Sequence, residues 1–219
     1  MSHPASEAST KARAGYIVAL GFSAIARDEF DDWLDLEHNP ERLTLPGFVA
    51  ATRWLATDDS ATSLTLYEIE SLAVLDSEAY RGVTGTNLSP WSRRIIPRCK
   101  RSRWDVELTM HLAKPGAERA DGLLMVGMNV APDAEDEFDR WYTQEHVPSL
   151  FELPGVLDAR RYRAVTGDQK HIAVYQLTDP DVQASAAWKK AIDTPWASRV
   201  RPHTRDRVRY VCRRYRRSK

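Results

Sequence analysis

Read for hydrophobic and polar periodicity, the chain lays out one series of elements twice. Tyr16 to Phe22 is an apolar run with β-branched residues, as in a buried strand. Phe30, Leu34 and His38 recur at i, i+4 and i+8, which predicts a helix from about Asp28 to His38. Asp28 is the expected N-cap, with acids in the turn that follows, where the helix dipole favours them. Pro40 is expected to end this helix, because proline pushes the preceding residue out of helical geometry. Leu45-Pro46-Gly47 reads as a turn, and residues 48–55 and 63–69 as two strands. An interrupted helix is predicted over 72–96, and an alternating, half-buried strand over 103–110. The order then recurs as a strand over 123–130, a helix over 133–146, strands over 157–163 and 171–177, a helix from 183, and a strand over 207–213.

The recurrence extends to the residues themselves. Glu29-Phe30-Asp31-Asp32-Trp33 leads to Glu37-His38-Asn39-Pro40, and Glu137-Phe138-Asp139-Arg140-Trp141 leads to Glu145-His146-Val147-Pro148. In both, a Leu-Pro-Gly turn follows after four more residues. From His38 to His146 and from Gly47 to Gly155 the shift is 108 residues, dropping to 105 between Trp91 and Trp196. So many identities at one offset imply an internal duplication. In the last strand, side-chain parity demands an even shift and leaves the register open.

The order β-α-β-β-α-β is the ferredoxin-like motif. The expected fold is therefore α+β, with ferredoxin-like repeats over 15–110 and 122–215. Residues 1–14 are expected to be a disordered tail, and 111–121 a linker. One such repeat covers one sheet face with its helices, and the other face must also be buried. Two repeats packed sheet against sheet meet that demand, so the expectation is an intramolecular pseudo-dimer.

Composition narrows the function classes. With 219 residues, 42% hydrophobic, 28% charged and a formal net charge of zero, nothing draws the whole chain to nucleic acid or an anionic membrane. The stretch from Arg199 is strongly basic, with Asp206 its one acid. It alternates with Val208, Tyr210 and Cys212, which reads as a strand with a solvated cationic face. Two cysteines without a CxxC suggest a reducing compartment. The N-terminal residues lack the apolar core of a signal peptide, and no run approaches the ~20 apolar residues of a membrane span. A cytoplasmic protein is expected.

The candidate chemistry lies on the repeated helix. His38 and His146 continue its core-facing stripe, each next to a carboxylate, Glu37 or Glu145. A partly buried histidine there would titrate near neutrality and suit acid–base work. Equally, it would cap helix carbonyls, with Glu37 paired to Arg53. Arg53 and Arg161 match at the same offset, as do Tyr67 and Tyr175. Trp33, Trp141 and Tyr142 are either core or an aromatic wall for a flat substrate. No phosphate-binding glycine loop, nucleophile elbow or HExxH is present, and no metal is expected.

The W-x-x-x-E-H-x-P helix, the L-P-G turn and the arginine that follows resemble the dimeric α/β-barrel superfamily of ferredoxin-like proteins, above all its EthD-like members. Trp141-Tyr142 makes the second repeat the closer match. The resemblance implies an intramolecular dimeric α/β barrel, with a pocket between helices and sheet in each unit. It further implies histidine as the acid or base, so His38 and His146, with Glu37 and Glu145, are carried over as catalytic. Trp33, Trp141, Tyr142, Arg53, Arg161, Tyr67 and Tyr175 are the substrate-binding candidates. The expected function is a small-molecule enzyme without cofactor: a monooxygenase, isomerase or cyclase on a phenolic or enolisable substrate. The alternatives are a haem-binding two-domain enzyme and a non-catalytic ligand-binding domain. The expected partner is a small-molecule substrate, not nucleic acid or membrane, and the chain is expected as a monomeric pseudo-dimer or a homodimer.

Overall fold

A computed structural model describes residues 12–217. The tail expected over 1–14 lies, up to residue 11, outside the described residues. The chain forms two compact units. One is built on the residues up to Glu107 with Val165–Gly167; the other on Leu108–Ala164 and the chain from Asp168 onward.

The first unit runs β1 (Ala14–Gly21), α1 (Arg27–Asp32), a π-helical segment (Trp33–His38), α2 (Asn39–Leu43), β2 (Phe48–Ala56), β3 (Thr62–Ile69), α3 (Glu78–Arg81), α4 (Pro90–Ile95) and β4 (Lys100–Ala113), which belongs to it as far as Glu107. The second runs β5 (Gly122–Val130), α5 (Glu135–Trp141), a π-helical segment (Tyr142–His146), α6 (Val147–Phe151), β6 (Val156–Ala164), β7 (His171–Leu177), α7 (Ala186–Ile192), α8 (Pro195–Val200) and β8 (Thr204–Arg214). Each unit is α+β with an antiparallel sheet. The strand order is β4-β1-β3-β2 in the first and β8-β5-β7-β6 in the second. β4 continues to Ala113, into the segment expected as a linker.

The register left open by parity is now fixed. Val18 faces Arg103 across β1 and β4, and Val126 faces Arg209 across β5 and β8. From Arg103 to Arg209 the shift is 106, an even number, so the side chains keep their faces.

Aromatic side chains anchor each helix to its sheet. In the first unit Phe22 stacks on Phe30 at 4.0 Å, within a cluster that includes Trp33, Leu34 and Ile95. In the second, Phe138, Trp141 and Val147 pack on the strands with Trp188 and Val200. The repeated Leu-Pro-Gly turn has a conformational cause. Gly47 and Gly155 have φ of 84° and 85°, a region that side chains resist. A Cβ there would also lie 2.4 Å from Val74 or 2.8 Å from Val182. The Gly47 and Gly155 carbonyls accept from Glu70 and Thr178, holding the turn to the end of the neighbouring strand.

Among the described residues, no helix is long and apolar enough to cross a membrane. Neither Cys99 nor Cys212 forms a disulfide.

Candidate functional site

The repeated helix departs from expectation at both ends. Asp28 does not cap it: Ala26 holds the N-cap position, and Asp28 Oδ1 accepts from the adjacent Glu29 amide. Nor does the helix stop at His38. The Asn39 amide bonds to the Leu34 carbonyl, and the Val147 amide to the Tyr142 carbonyl, five residues back in each case. This wider turn places Pro40 and Pro148 in the first turn of a new α-helical segment, where no amide donor is needed. The proline is thus absorbed and the helix runs on to Leu43 and Phe151. Such π-turns recur at functional sites, since the extra residue re-aims side chains.

Here the turn aims the two histidines inward. The His38 ring lies 4.7 Å from that of Trp33; the His146 ring lies 4.6 Å from Trp141 and 4.7 Å from Tyr142. Burial disfavours the charged imidazole in both, and nearby guanidinium groups add to this: Arg42 beside His38, Arg201 and Arg207 beside His146. Both pKa values fall to about 3, so both rings are neutral at pH 7 and the expected titration near neutrality does not occur. Nδ1 of His38 is buried with no hydrogen-bond partner.

The sequence neighbours Glu37 and Glu145 turn elsewhere. Glu37 accepts from Ser89 at 2.5 Å and Ser92 at 3.2 Å; Glu145 accepts from Thr194 at 2.6 Å and the Trp141 indole at 3.0 Å. Ser89 and Thr194 are the N-caps of α4 and α8. Each carboxylate therefore braces the π-segment against the start of a helix distant in sequence, α4 or α8. The expected pairing of Glu37 with Arg53 is not made. Arg53 is held by Asp31, Asp35 and Ser63, and Arg161 by Asp139 and Thr143. Neither arginine lines the cavity beside its unit's histidine. Tyr67 stacks on Tyr16 at 4.3 Å and donates to Asn39 at 2.5 Å.

Each unit has a cavity beside its histidine, and the two differ. The first is about 350 Å³, lined by Trp33 and His38 together with Tyr16, Arg42, Tyr80 and Arg103. Its side chains are engaged with one another. Arg103 donates to Asp105 at 2.6 Å and to the Tyr80 hydroxyl at 2.9 Å; Arg42 donates to Glu41 at 2.6 Å. The second is about 710 Å³, within the range of small-molecule sites. Trp141, Tyr142, His146, Tyr175 and Trp188 form its walls, and Leu124, Val126 and Met128 lie along the strand beneath. Of the substrate-binding candidates, the second cavity gathers Trp141, Tyr142 and Tyr175, and the first Trp33.

Sequence reasoning missed Trp188, Lys189, Arg201, Arg207 and Arg209 at the second cavity, and Tyr16, Arg42, Tyr80 and Arg103 at the first. The signal for Arg207 and Arg209 was present in the alternation of the basic strand, but it needed the register to show which face turned inward. Among the described residues, no group of three or more His, Cys, Asp or Glu could hold a metal ion.

Comparison with solved structures gives the fold. A candidate monooxygenase from Fusobacterium nucleatum superposes with a TM-score of 0.65 at 10% identity, covering 93% of this chain and 92% of that one. An anthrone oxidase-like protein gives 0.64 at 12% identity, covering 93% and 92%. A mutant chlorite dismutase from Candidatus Nitrospira defluvii, in complex with cyanide, gives 0.61 at 9% identity, covering 98% and 96%. No protein-family model and no curated protein matches the sequence. At these identities the likeness is one of fold, and this chain has the α+β fold that these proteins share.

Proposed function

We propose that the chain is a small-molecule enzyme, a duplicated member of the dimeric α/β-barrel type, whose working site is the cavity of the second unit. The observation that carries this reading is the neutral imidazole of His146, which opens on an aromatic-walled space of about 710 Å³. The substrate is phenolic or enolisable. Its flat ring lies against Trp141, Tyr142 and Trp188, and its hydroxyl or acidic C–H faces His146. A neutral imidazole is in the right state to accept that proton. Its low affinity for a proton in the empty cavity means that imidazolium persists only while the new oxyanion balances it. Placed proton transfer of this kind contributes about 10²–10⁴-fold in rate. Proton removal is a step open to oxygenation, isomerisation and cyclisation alike, and the candidate monooxygenase and anthrone oxidase-like proteins of the same fold favour the first.

The test is turnover of a panel of hydroxyaromatic compounds by the wild type, His146→Ala and His38→Ala. The expected result is a loss of about 10²–10⁴-fold in kcat/KM for His146→Ala and little change for His38→Ala. Unchanged turnover in His146→Ala would remove the assignment.

A haem occupant, suggested by the chlorite dismutase fold, fits the residues less well. A metal-binding histidine is normally oriented by a hydrogen bond from its second ring nitrogen. Among the described residues neither His38 nor His146 has such a partner. Titration with hemin checks this, and no Soret band shift is expected.

A further inference from the structure

The second cavity has a charge pattern that the proton-transfer reading does not use. Lys189 on α7, Arg201 just past α8, and Arg207 and Arg209 on β8 all line it, and no aspartate or glutamate does. Arg201 donates to the Ile192 carbonyl and Arg209 to the Gln183 side chain. Among the described residues, Lys189 and Arg207 have no carboxylate partner. The first cavity is lined by Arg42, Arg101 and Arg103; Glu41 lies 2.6 Å from Arg42 and Asp105 2.6 Å from Arg103.

The contrast lies in a few matched positions. Arg103 and Arg209 hold equivalent places opposite Val18 and Val126, and Asp105, opposite Tyr16, is matched by Val211, opposite Leu124. The second unit thus keeps the arginine and has a valine where the first has the aspartate. Elsewhere on the molecule, exposed arginines such as Arg94 and Arg213 have acidic partners.

From this juxtaposition we infer that the ligand of the second cavity is an aromatic carboxylate: a flat ring between Trp141, Tyr142 and Trp188, and a carboxylate at the cations of α7 and β8. Arginine matches a carboxylate with a planar pair of donors, and lysine supplies a point charge. The aromatic faces alone would take a neutral ring equally well, so the carboxylate sets the selection. The inference rests on the proposed working site in the second unit and adds the substrate class to it.

Calorimetric titration with 2-naphthoate and its uncharged isostere 2-naphthamide tests it. The carboxylate is expected to bind at least about tenfold more tightly, a preference that falls with added salt. Arg207→Gln combined with Lys189→Gln, both at exposed positions, should remove most of that preference and leave the affinity for the amide unchanged. His146→Gln should keep it. Equal binding of the two probes, or a preference that survives in the double variant, overturns the inference. Those outcomes leave the role of His146 standing, because it is read from turnover. Conversely, unchanged turnover in His146→Ala would leave the carboxylate preference intact.

Discussion

The two units share a helix, a turn and a histidine, yet one holds a cavity twice the volume of the other. The difference comes from a few side chains. Tyr16, Arg42 and Tyr80 occupy the first unit where Leu124, Leu150 and Trp188 stand in the second. Tyr16 stacks on Tyr67, Arg103 lies 4.5 Å over the Tyr16 ring, and Arg42 lies 5.7 Å from the Tyr80 ring. This layered stack of rings and cations fills space and neutralises charge together. In the second unit Leu124, Leu150 and Trp188 stand in their place, and the cavity is twice the volume. The comparison teaches that a duplicated framework keeps its positioning devices, the π-turn and the glycine turn, while the side chains around the histidine diverge.

The shared framework can be broken first. Phe30 and Phe138 are fully buried at equivalent positions, so Phe→Ala in either unit should cost about 3–5 kcal/mol in urea unfolding. The comparison says these two costs are alike. A clear inequality would show that the units do not share a packing plan.

The braces sharpen the contrast at smaller magnitude. Thr194→Ala removes an N-cap and the hydroxyl donor to Glu145, and should cost about 1–2 kcal/mol. Ser89→Ala removes the matching N-cap and hydroxyl donor to Glu37 and should cost a similar amount, since Ser92 still donates to Glu37 as Trp141 does to Glu145. A clear inequality between the two losses would contradict the shared hydrogen-bond arrangement.

A further effect lies in pH dependence. Burial lowers both histidines to about 3 from the ordinary value of 6.5. Between these values the unfolded chain binds protons that the folded chain does not. Their contribution is therefore complete above pH 6.5 and lost as pH falls towards 3. His38→Gln and His146→Gln should each flatten the fall in stability between pH 7 and pH 4, by similar amounts. Glu135 acts in the second unit alone. Burial opposes its ionisation, but Lys170, His171 and Arg163 outweigh this and hold its pKa at about 2. Its contribution is present above pH 4.5 and fades as pH approaches 2.

Much of this was legible in the sequence. Alternation and apolar runs located the strands to within a few residues, and the i, i+4, i+8 stripe placed His38 and His146 on the buried face. What escaped was non-local. Pro40 reads as a helix end because the rule assumes α-geometry, and a π-turn lifts that assumption. Glu37 and His38 are adjacent in sequence, yet neighbours on a helix point about 100° apart, so the carboxylate reached Ser89 instead of the imidazole. Arg207 and Arg209 of the second cavity lie on a strand whose register the repeat offset could not fix. The inequality of the cavities depends on substitutions such as Tyr16 for Leu124, which look conservative until their neighbours are known.

The most direct test of the central claim, that the second unit alone carries the working site, is a crystal structure of the protein with 2-naphthoate. The account predicts one ligand per chain, its ring against Trp141 and Trp188, its carboxylate at Arg207 and Lys189, and none beside His38. Equal occupancy of both cavities, or density beside His38 alone, would contradict it.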